Sequence, residues 1–398
     1  MRNQGPNASQ DNESLQRPLF DVVSEDKGST GPPAAMDDAA RSRLLVSLLA
    51  LASIKGIGFK TLRAMFDTGF LWEVWNWDLS ETAHQWSLLP SKPRLDLARS
   101  IHDRKEELLE QGRKAAEDLH KQKILFAPLG HCNYPTSLLR LKDPPRWLFV
   151  TGNLDAVQSE SMIAIVGTRN PSSDGERLAY GCARELVYRN VIVLSGLAKG
   201  IDEQAHLGAV HHYGQSVAVL GHGINAALTL SSKRLWSNIL ETDGSIISEY
   251  LPSVRPTRRS FLRRNELQAA MARVVIPIEC PSMASGTGAT IRRAMKLGTP
   301  VVGVVPDNVR EPTLIATKDN LSELGYQVFT VSRESADEFW AHLREMLPNH
   351  KWDPDPGPRQ DRFLGILEQR LMQAKTRVSL DEDAIDRFAE RLKKRLGE

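Results

Sequence analysis

Between residues 161 and 306 one pattern recurs: a short apolar run rich in β-branched residues, an abrupt glycine turn, and usually a helical stretch. Residues 162–166 run into Gly167-Thr168-Arg169, and residues 191–194 into Ser195-Gly196-Leu197-Ala198-Lys199-Gly200. Residues 217–220 run into Gly221-His222-Gly223, and residues 274–278 lead to Ser285-Gly286-Thr287-Gly288. A fifth run, 300–305, closes the series at Pro306. Apolar runs without polar alternation are strands covered on both faces, and alternation with helices makes the sheet parallel. The predicted fold class is therefore α/β, an extended Rossmann-like parallel sheet with helices on both faces. In such sheets ligands bind outside the carboxyl ends of the strands, where these glycine turns fall.

The flanks differ. Residues 1–36 are rich in Gly, Pro, Ser, Asn and Asp and offer little to bury, which predicts a disordered tail. Residues 37–122 read as a small helical domain. There a helical pattern over 39–51 breaks at Ser53-Ile54-Lys55-Gly56-Ile57-Gly58-Phe59-Lys60 and resumes over 61–66, the pattern of a helix-hairpin-helix. Glycines in such a turn let backbone amides approach a DNA phosphate, which marks Lys55, Gly56, Gly58 and Lys60 as a possible secondary DNA contact. A plain Gly-rich link between packed helices gives the same pattern. Trp72, Trp75, Trp77 and Trp86 suit either base stacking or core packing, and the i, i+3 spacing of the first two favours the core. Residues 94–122 predict one charged amphipathic helix. Residues 123–127 predict a strand, and the proline-rich segment up to 150 is extended and expected to lengthen the main sheet. The Rossmann-like domain is placed at 123–335. A helical extension follows over 336–398, with charged helices at 362–375 and 380–396 serving as an interaction arm or a solvated edge.

Composition adds bounds. With 41% hydrophobic and 25% charged residues the chain is of ordinary globular type, and its length suits two or three domains. A net charge of +2 announces no nucleic-acid binder, but the distribution is uneven. Arg255, Arg258, Arg259, Arg263, Arg264 and Arg273 face the single acid Glu266. Cys132, Cys182 and Cys280 lack metal or redox spacing and read as small buried apolar residues of a reducing cytoplasm. No apolar run approaches the roughly 18 residues of a membrane span, so no membrane association and a cytoplasmic location are expected.

Among the motifs, Gly167-Thr168-Arg169 ends a strand where amides and a helix start meet an anion, and Arg169 can fork onto phosphate. Gly196 and Gly200 permit close backbone approach beside Lys199. Asp202 reads as the N-cap of a helix over 203–212. Gly221-x-Gly223 resembles a dinucleotide fingerprint, but no convincing ribose-binding acid follows at the expected distance, so neither NAD nor another cofactor is expected. Ser285, Gly286 and Thr287 precede a helix over 289–297 that Gly298 should end, and suit a phosphate. Arg263, Arg264 and Asn265 suit the next phosphate, or form a solvated pair. His206, His211 and His212 share one helical stretch without partners at ligand spacing, so neither a metal site nor acid–base work is expected. No nucleophile–base pair stands out, and Glu249 and Glu279 are the best candidates if chemistry exists. Together the motifs predict a row of phosphate sites (Gly167, Thr168, Arg169, Ser195, Gly196, Lys199, Gly200, Gly221, Gly223, Arg263, Arg264, Asn265, Ser285, Gly286 and Thr287) and no catalytic residue.

An ordered series of segments is similar to one family. Asn133-Tyr134-Pro135, Asp143-Pro144-Pro145-Arg146-Trp147-Leu148-Phe149 and Gly152-Asn153-Leu154 resemble the DNA-processing protein A (DprA/Smf) family. So do Ile163-Ala164-Ile165-Val166-Gly167-Thr168-Arg169, Ser195-Gly196-Leu197-Ala198-Lys199-Gly200-Ile201-Asp202 and Ala205-His206. Gly221-His222-Gly223-Ile224, Ile247-Ser248-Glu249-Tyr250, Arg263-Arg264-Asn265 and Ser285-Gly286-Thr287 complete the series. The resemblance covers roughly residues 125–306 and implies a dimeric extended Rossmann fold that binds single-stranded DNA and loads a RecA-type recombinase during natural transformation. The wider superfamily implies an alternative, a nucleotide-ligand sensor or a nucleoside-monophosphate hydrolase. Its enzymes want a Pro-Gly-Gly-x-Gly-Thr turn and a downstream Glu, whereas here Arg292 and Arg293 follow Ser285-Gly286-Thr287-Gly288. Two departures stand out. Glu266-Leu267-Gln268-Ala269-Ala270 replaces the usual Arg and Ile-Ile-Ala-Gly, and Gly288-Ala289-Thr290 replaces Leu-Ile-Thr-Ala. The C-terminal winged helix of some members is not evident.

Overall fold

The computed structural model describes residues 36–89, 96–332 and 336–352. The predicted tail up to residue 35 and the two expected C-terminal helices lie outside the described residues. The described residues divide into two compact units, those within 36–134 with 145–149, and those within 135–144 with 150–352.

The first unit is helical. Its elements are α1 (Asp38–Ala52), α2 (Phe59–Asp67), α3 (Phe70–Glu73), α4 (Leu79–Leu88), α5 (Asp96–Asp103), α6 (Lys105–Lys121) and β1 (Ile124–Pro128). It also contains the first residues of β2 (Trp147–Gly152). The Asp37 carboxylate caps α1 by accepting from the Ala40 N–H at 2.7 Å. Gly112 lets α6 close on α1, because a Cβ there would lie 2.4 Å from the Val46 carbonyl oxygen. The predicted single helix over 94–122 is two, broken at Arg104, whose backbone leaves the helical region at φ −113°, ψ 19°. The tryptophans belong to the core. Trp75 and Trp86 are buried, Trp75 Nε1 donates to the Ser47 hydroxyl, and the rings of Phe66 and Trp72 stand 5.0 Å apart. Met36, assigned by the sequence to the tail, is buried and bonds its amide to the Gly130 carbonyl.

The second unit is the Rossmann-like body. After α7 (Leu154–Gln158) it runs β3 (Met162–Gly167), α8 (Ser173–Tyr188), β4 (Ile192–Ser195), α9 (Ile201–Val210) and β5 (Ser216–Leu220). Then come α10 (Leu230–Glu241), β6 (Ser245–Ser248), α11 (Arg258–Met271), β7 (Val274–Ile278) and α12 (Gly286–Leu297). The described part ends with β8 (Gly303–Pro306), α13 (Pro312–Glu323), β9 (Val328–Val331) and α14 (Asp337–Met346). Strands stand in the order β6-β5-β4-β3-β7, every pair parallel, with the end of β2 beside β6.

The chain thus winds outward from β3 to β6 and then returns to the far side of β3 to lay down β7. The point where the winding reverses lies between β3 and β7, whose register pairs Ile165 with Ile276 and Gly167 with Ile278. Ile163, Ile165, Val193, Ile276 and Ile278 share one buried cluster with Ala179 and Leu186 of α8, Ala205 of α9, and Phe339 and Leu343 of α14. Residues of the opposite parity, Ala164, Val166, Leu194 and Val275, are equally buried, and α11 and α12 contact that sheet's strands. Both faces are covered, which is why these strands read as unbroken apolar runs; each fully buried Val or Ile contributes about 1.5–3 kcal/mol.

The fifth apolar run departs from the expected series. Val301 makes only a bridge to Val275, and β8 pairs instead with β9 in a separate two-stranded parallel sheet. Pro300 and Pro306 bracket the run, and proline at these places supplies no ladder donor. The cysteines also split: Cys182 and Cys280 are buried as expected, but Cys132 is exposed. Burial pushes the Cys182 thiol up to about 12.

Candidate nucleic-acid interface

Five strand ends and five helix starts meet along the carboxyl edge of the second unit's sheet. Parallel winding dictates this: each strand delivers its glycine turn to the edge from which the next helix departs. Four of the helix starts are pinned by their own capping groups, Thr229 on α10 accepting from the Ser232 N–H at 3.2 Å. Ser172 accepts from the Gly175 N–H, Thr257 and Ser260 form a reciprocal capping box on α11, and Ser285 accepts from the Gly288 N–H. The Ser285 hydroxyl is therefore engaged within the protein, and Thr287 is buried. Gly286 is exposed; its carbonyl accepts from Asn265 Nδ2 at 3.1 Å. As the sequence leads one to expect, Gly298 closes α12 in the left-handed region at φ +64°.

The glycines at this edge are required by close packing. A Cβ on Gly167 would fall 2.1 Å from the Ile278 carbonyl oxygen. One on Gly221 would meet the Phe261 ring, and one on Gly223 would fall 2.1 Å from the Leu251 carbonyl oxygen. Gly200, at φ +90°, lies against the Thr168 and Arg169 backbone and caps α9 without a side chain. Gly196 is the tightest: its Cβ would sit 1.1 Å from Arg264 Nη1. A glycine is demanded here so that an arginine can lie against the loop.

That arginine is turned inward. Arg264 is 4% exposed and its Nη1 donates to Asp202 Oδ2 at 3.0 Å. Asp202 is correspondingly the second residue of α9 and the counter-ion of Arg264, not the N-cap the sequence suggested; Gly200 holds that position. Arg263 is also engaged. Its Nε donates to Glu249 and Nη1 to Glu266, while Nη2 donates to the Asp143 carbonyl at 2.7 Å. The two acids hold the Arg263 guanidinium above its ordinary value, against the opposing effect of burial. Glu266, the sign reversal noted in the sequence, also accepts from Arg293 Nη1 at 3.0 Å and so serves two arginines. Glu279 is fully buried, with its carboxylate taken up by the Ser172 amide and hydroxyl and by the Thr313 hydroxyl. Glu249 is equally buried beside Arg263. Neither acid is presented to solvent for chemistry.

The open charge lies elsewhere on the edge. Arg169, Lys199, Arg255, Arg258 and Arg259 are exposed, and none forms an ion pair among the described residues. Arg169 is held over the Phe261 ring at 4.8 Å from its centroid, which orients its fork without neutralising it. Arg258 and Arg259 open α11 directly after the Thr257 cap, and Arg255 precedes it. Lys233 and Arg234, in the first turns of α10, are exposed as well. The sequence marks the basic stretch 255–273 but points within it to Arg263 and Arg264. The signal that separates them is helical phase: Arg264 shares a face with buried Ser260, Leu267 and Gln268, whereas Arg258 and Arg259 precede the first buried turn.

The Ser195–Gly200 turn has its own scaffold. The Ser195 hydroxyl donates to the Ile165 carbonyl at 2.7 Å. The Leu197 N–H donates to His206 Nε2 at 3.2 Å, and the ring's other nitrogen lies 2.7 Å from the Ser216 hydroxyl. Burial, with Arg264 nearby, lowers the His206 pKa to about 3, so the ring is neutral at ordinary pH. His211 and His212 lie beyond α9 against Tyr180 and Tyr188, a packing arrangement. Among the described residues no cluster of His, Cys, Asp and Glu could hold a metal ion, and no helix is long and apolar enough to cross a membrane. In the first unit Lys55, Gly56, Gly58 and Lys60 are all exposed, Gly56 at φ +105°, and buried Ile57 anchors the turn.

Comparison with known proteins follows the same stretch of chain. The model of the family described as DNA recombination-mediator protein A matches residues 126–339. Protein Smf of Escherichia coli is 38% identical over 168 residues, 42% of this chain and 44% of that protein. DNA processing protein DprA of Streptococcus pneumoniae is 37% identical over 183 residues, 45% of this chain and 62% of its own length. The chain thus matches about half the length of these relatives. Among solved structures, DNA processing protein A from Streptococcus pneumoniae aligns with a TM-score of 0.49 and 27% identity, covering 65% of this chain and 92% of that one.

Proposed function

The chain belongs to the DNA recombination-mediator protein A family, and from that premise we propose that it binds single-stranded DNA through its phosphates along the carboxyl edge of the second unit. One observation carries this reading: the exposed, unpaired cations Arg169, Lys199, Arg255, Arg258 and Arg259 share that edge with the helix starts and glycine turns. Phosphates are held by such charges and by backbone amides without reading sequence. A single strand is the suited form because its flexible backbone can follow a row of separate sites, as a groove of positive charge requires. The buried, engaged states of Glu249 and Glu279 favour a binding protein over a hydrolase. The helix-hairpin-helix turn supplies a secondary contact through Lys55, Gly56, Gly58 and Lys60. On this reading the protein works as a homodimer in DNA processing and recombination and passes strands to a RecA-type recombinase, as the family's description as a recombination mediator suggests.

The test is binding of a fluorescent single-stranded oligonucleotide across a salt series, beside duplex DNA and a mononucleotide. Affinity for the single strand that falls steeply with salt and drops in Arg169→Ala and Lys199→Ala supports the reading. Failure to bind single strands, with thermal stabilisation by a mononucleotide, moves the protein to the sensor or hydrolase class.

A further inference from the structure

His206 is fully buried and lies on α9, behind the turn that carries Lys199. Its two bonds fix which nitrogen carries the proton. The Leu197 amide can only donate, so Nε2 is the acceptor and Nδ1 bears the hydrogen. Nδ1–H then donates to the Ser216 hydroxyl, and Ser216 donates in turn to the Val193 carbonyl at 2.9 Å. The relay runs from the backbone of β4 through β5 and α9 to one amide of the turn.

That amide belongs to a residue in an unfavourable conformation. Leu197 has φ +55°, a left-handed backbone that a leucine adopts only when its surroundings impose it. The three residues that follow, Ala198, Lys199 and Gly200, have backbone N–H groups with no protein acceptor among the described residues. They lead into the uncapped start of α9, and the Lys199 side chain is exposed beside them. On the other side the turn rests on the Arg264–Asp202 pair through Gly196.

We propose that His206 is a positioning residue for phosphate binding: its bond to the Leu197 amide holds the left-handed turn that aims the Ala198, Lys199 and Gly200 amides and the Lys199 side chain at one phosphate of the bound strand. The inference rests on the reading of this edge as a nucleic-acid interface. Without that bond Leu197 relaxes towards negative φ, and the three donors lose their common direction although nothing that touches the phosphate has been removed. The low pKa of His206 fits the role, because a protonated Nε2 would present a hydrogen to the Leu197 N–H and break the bond.

The experiment is a double-mutant cycle on the full chain with the fluorescent single-stranded oligonucleotide as probe, His206→Leu against Lys199→Ala, with circular dichroism confirming folding. The expected result is about tenfold weaker binding for His206→Leu in the wild-type background and a smaller loss, about threefold, in the Lys199→Ala background, where only the backbone amides remain to be misdirected. Equal fold-losses in both backgrounds, or no loss, overturn the proposal. Ser216→Ala is carried through the same cycle, so that the proposal is still tested if His206→Leu fails to fold. It removes the acceptor of Nδ1–H and leaves the imidazole in place; coupling to Lys199 supports the proposal and additivity overturns it. The ¹⁵N shifts of His206 add a readout without DNA, a protonated Nδ1 and bare Nε2 from pH 5 to 8 being expected and the opposite tautomer contradicting it. Wild-type protein that shows this tautomer but binds no single strand removes the reading of the interface, a result distinct from binding that His206→Leu leaves intact.

Discussion

The buried imidazole of His206 makes stability fall in acid by an amount the structure sets. In the unfolded chain a histidine titrates near 6.5, and in the folded protein His206 is lowered to about 3, first by burial and then by the Arg264 charge. A depressed folded pKa means that the unfolded state binds the proton more readily. The contribution is complete above pH 6.5 and is lost progressively as pH falls towards 3. Each pKa unit is worth about 1.36 kcal/mol, so at pH 5, one and a half units below the unfolded value, the loss is about 2 kcal/mol. Against a native stability of about 5–15 kcal/mol this is a large fraction. The assay is urea denaturation of the wild type and His206→Leu at pH 7.5, 6.5, 5.5 and 5.0. The variant loses both hydrogen bonds and is less stable at pH 7.5, but it lacks this titration. The wild type's advantage should shrink by about 2 kcal/mol between pH 7.5 and 5.0, while the shifts of His131 and His212 cancel in the difference. Parallel stability curves would refute the argument, because a ring protonated as easily folded as unfolded cannot be the bare-Nε2 acceptor described.

Three further outcomes follow from the same geometry. Arg264→Ala leaves the Asp202 carboxylate buried without its counter-ion and should destabilise the protein by about 3–5 kcal/mol in urea; a loss below about 1 kcal/mol would show that the pair is not buried as described. Gly196→Ala places a methyl within bonding range of Arg264 Nη1 and should lower the melting temperature by several degrees, whereas Gly58→Ala, with no atom within 4 Å of its Cβ, should leave core packing unaltered. In the native protein a maleimide should label Cys132 alone, and labelling of Cys182 before unfolding would contradict its burial and its raised pKa of about 12.

Much of the second unit is legible in the sequence because its strands are covered on both faces, so that residues 162–166, 217–220 and 274–278 announce themselves by apolarity alone. The strand at Ser245–Ser248 does not, since two of its four residues are serines whose hydroxyls bond to backbone carbonyls. Run 300–305 is legible as a strand but not as a member of a separate sheet, because partner choice depends on β9, which has only four residues and is only partly buried. The site is legible as turns and not as contacts. Glycines at 167, 196, 200 and 221 advertise close approach, but only the fold shows that what approaches Gly196 is an arginine side chain rather than a ligand. Arg263 and Arg264 attract attention as a pair of charges. The Arg263–Glu266 pair is local, three residues apart, but Arg263 also pairs with Glu249 and Arg264 with Asp202, 62 positions away, beyond what spacing can reveal.

The central claim is that the open cations of the carboxyl edge, and not the inward arginines, hold the strand. The measurement that tests it is the salt dependence of single-stranded oligonucleotide affinity for the wild type and for Arg258→Ala combined with Arg259→Ala. The expected result for the double variant is an unchanged melting temperature, weaker binding at every salt concentration, and a log–log salt slope shallower by about 1–2. Wild-type affinity with an unchanged slope in the double variant would contradict it and place the phosphate path elsewhere on the molecule.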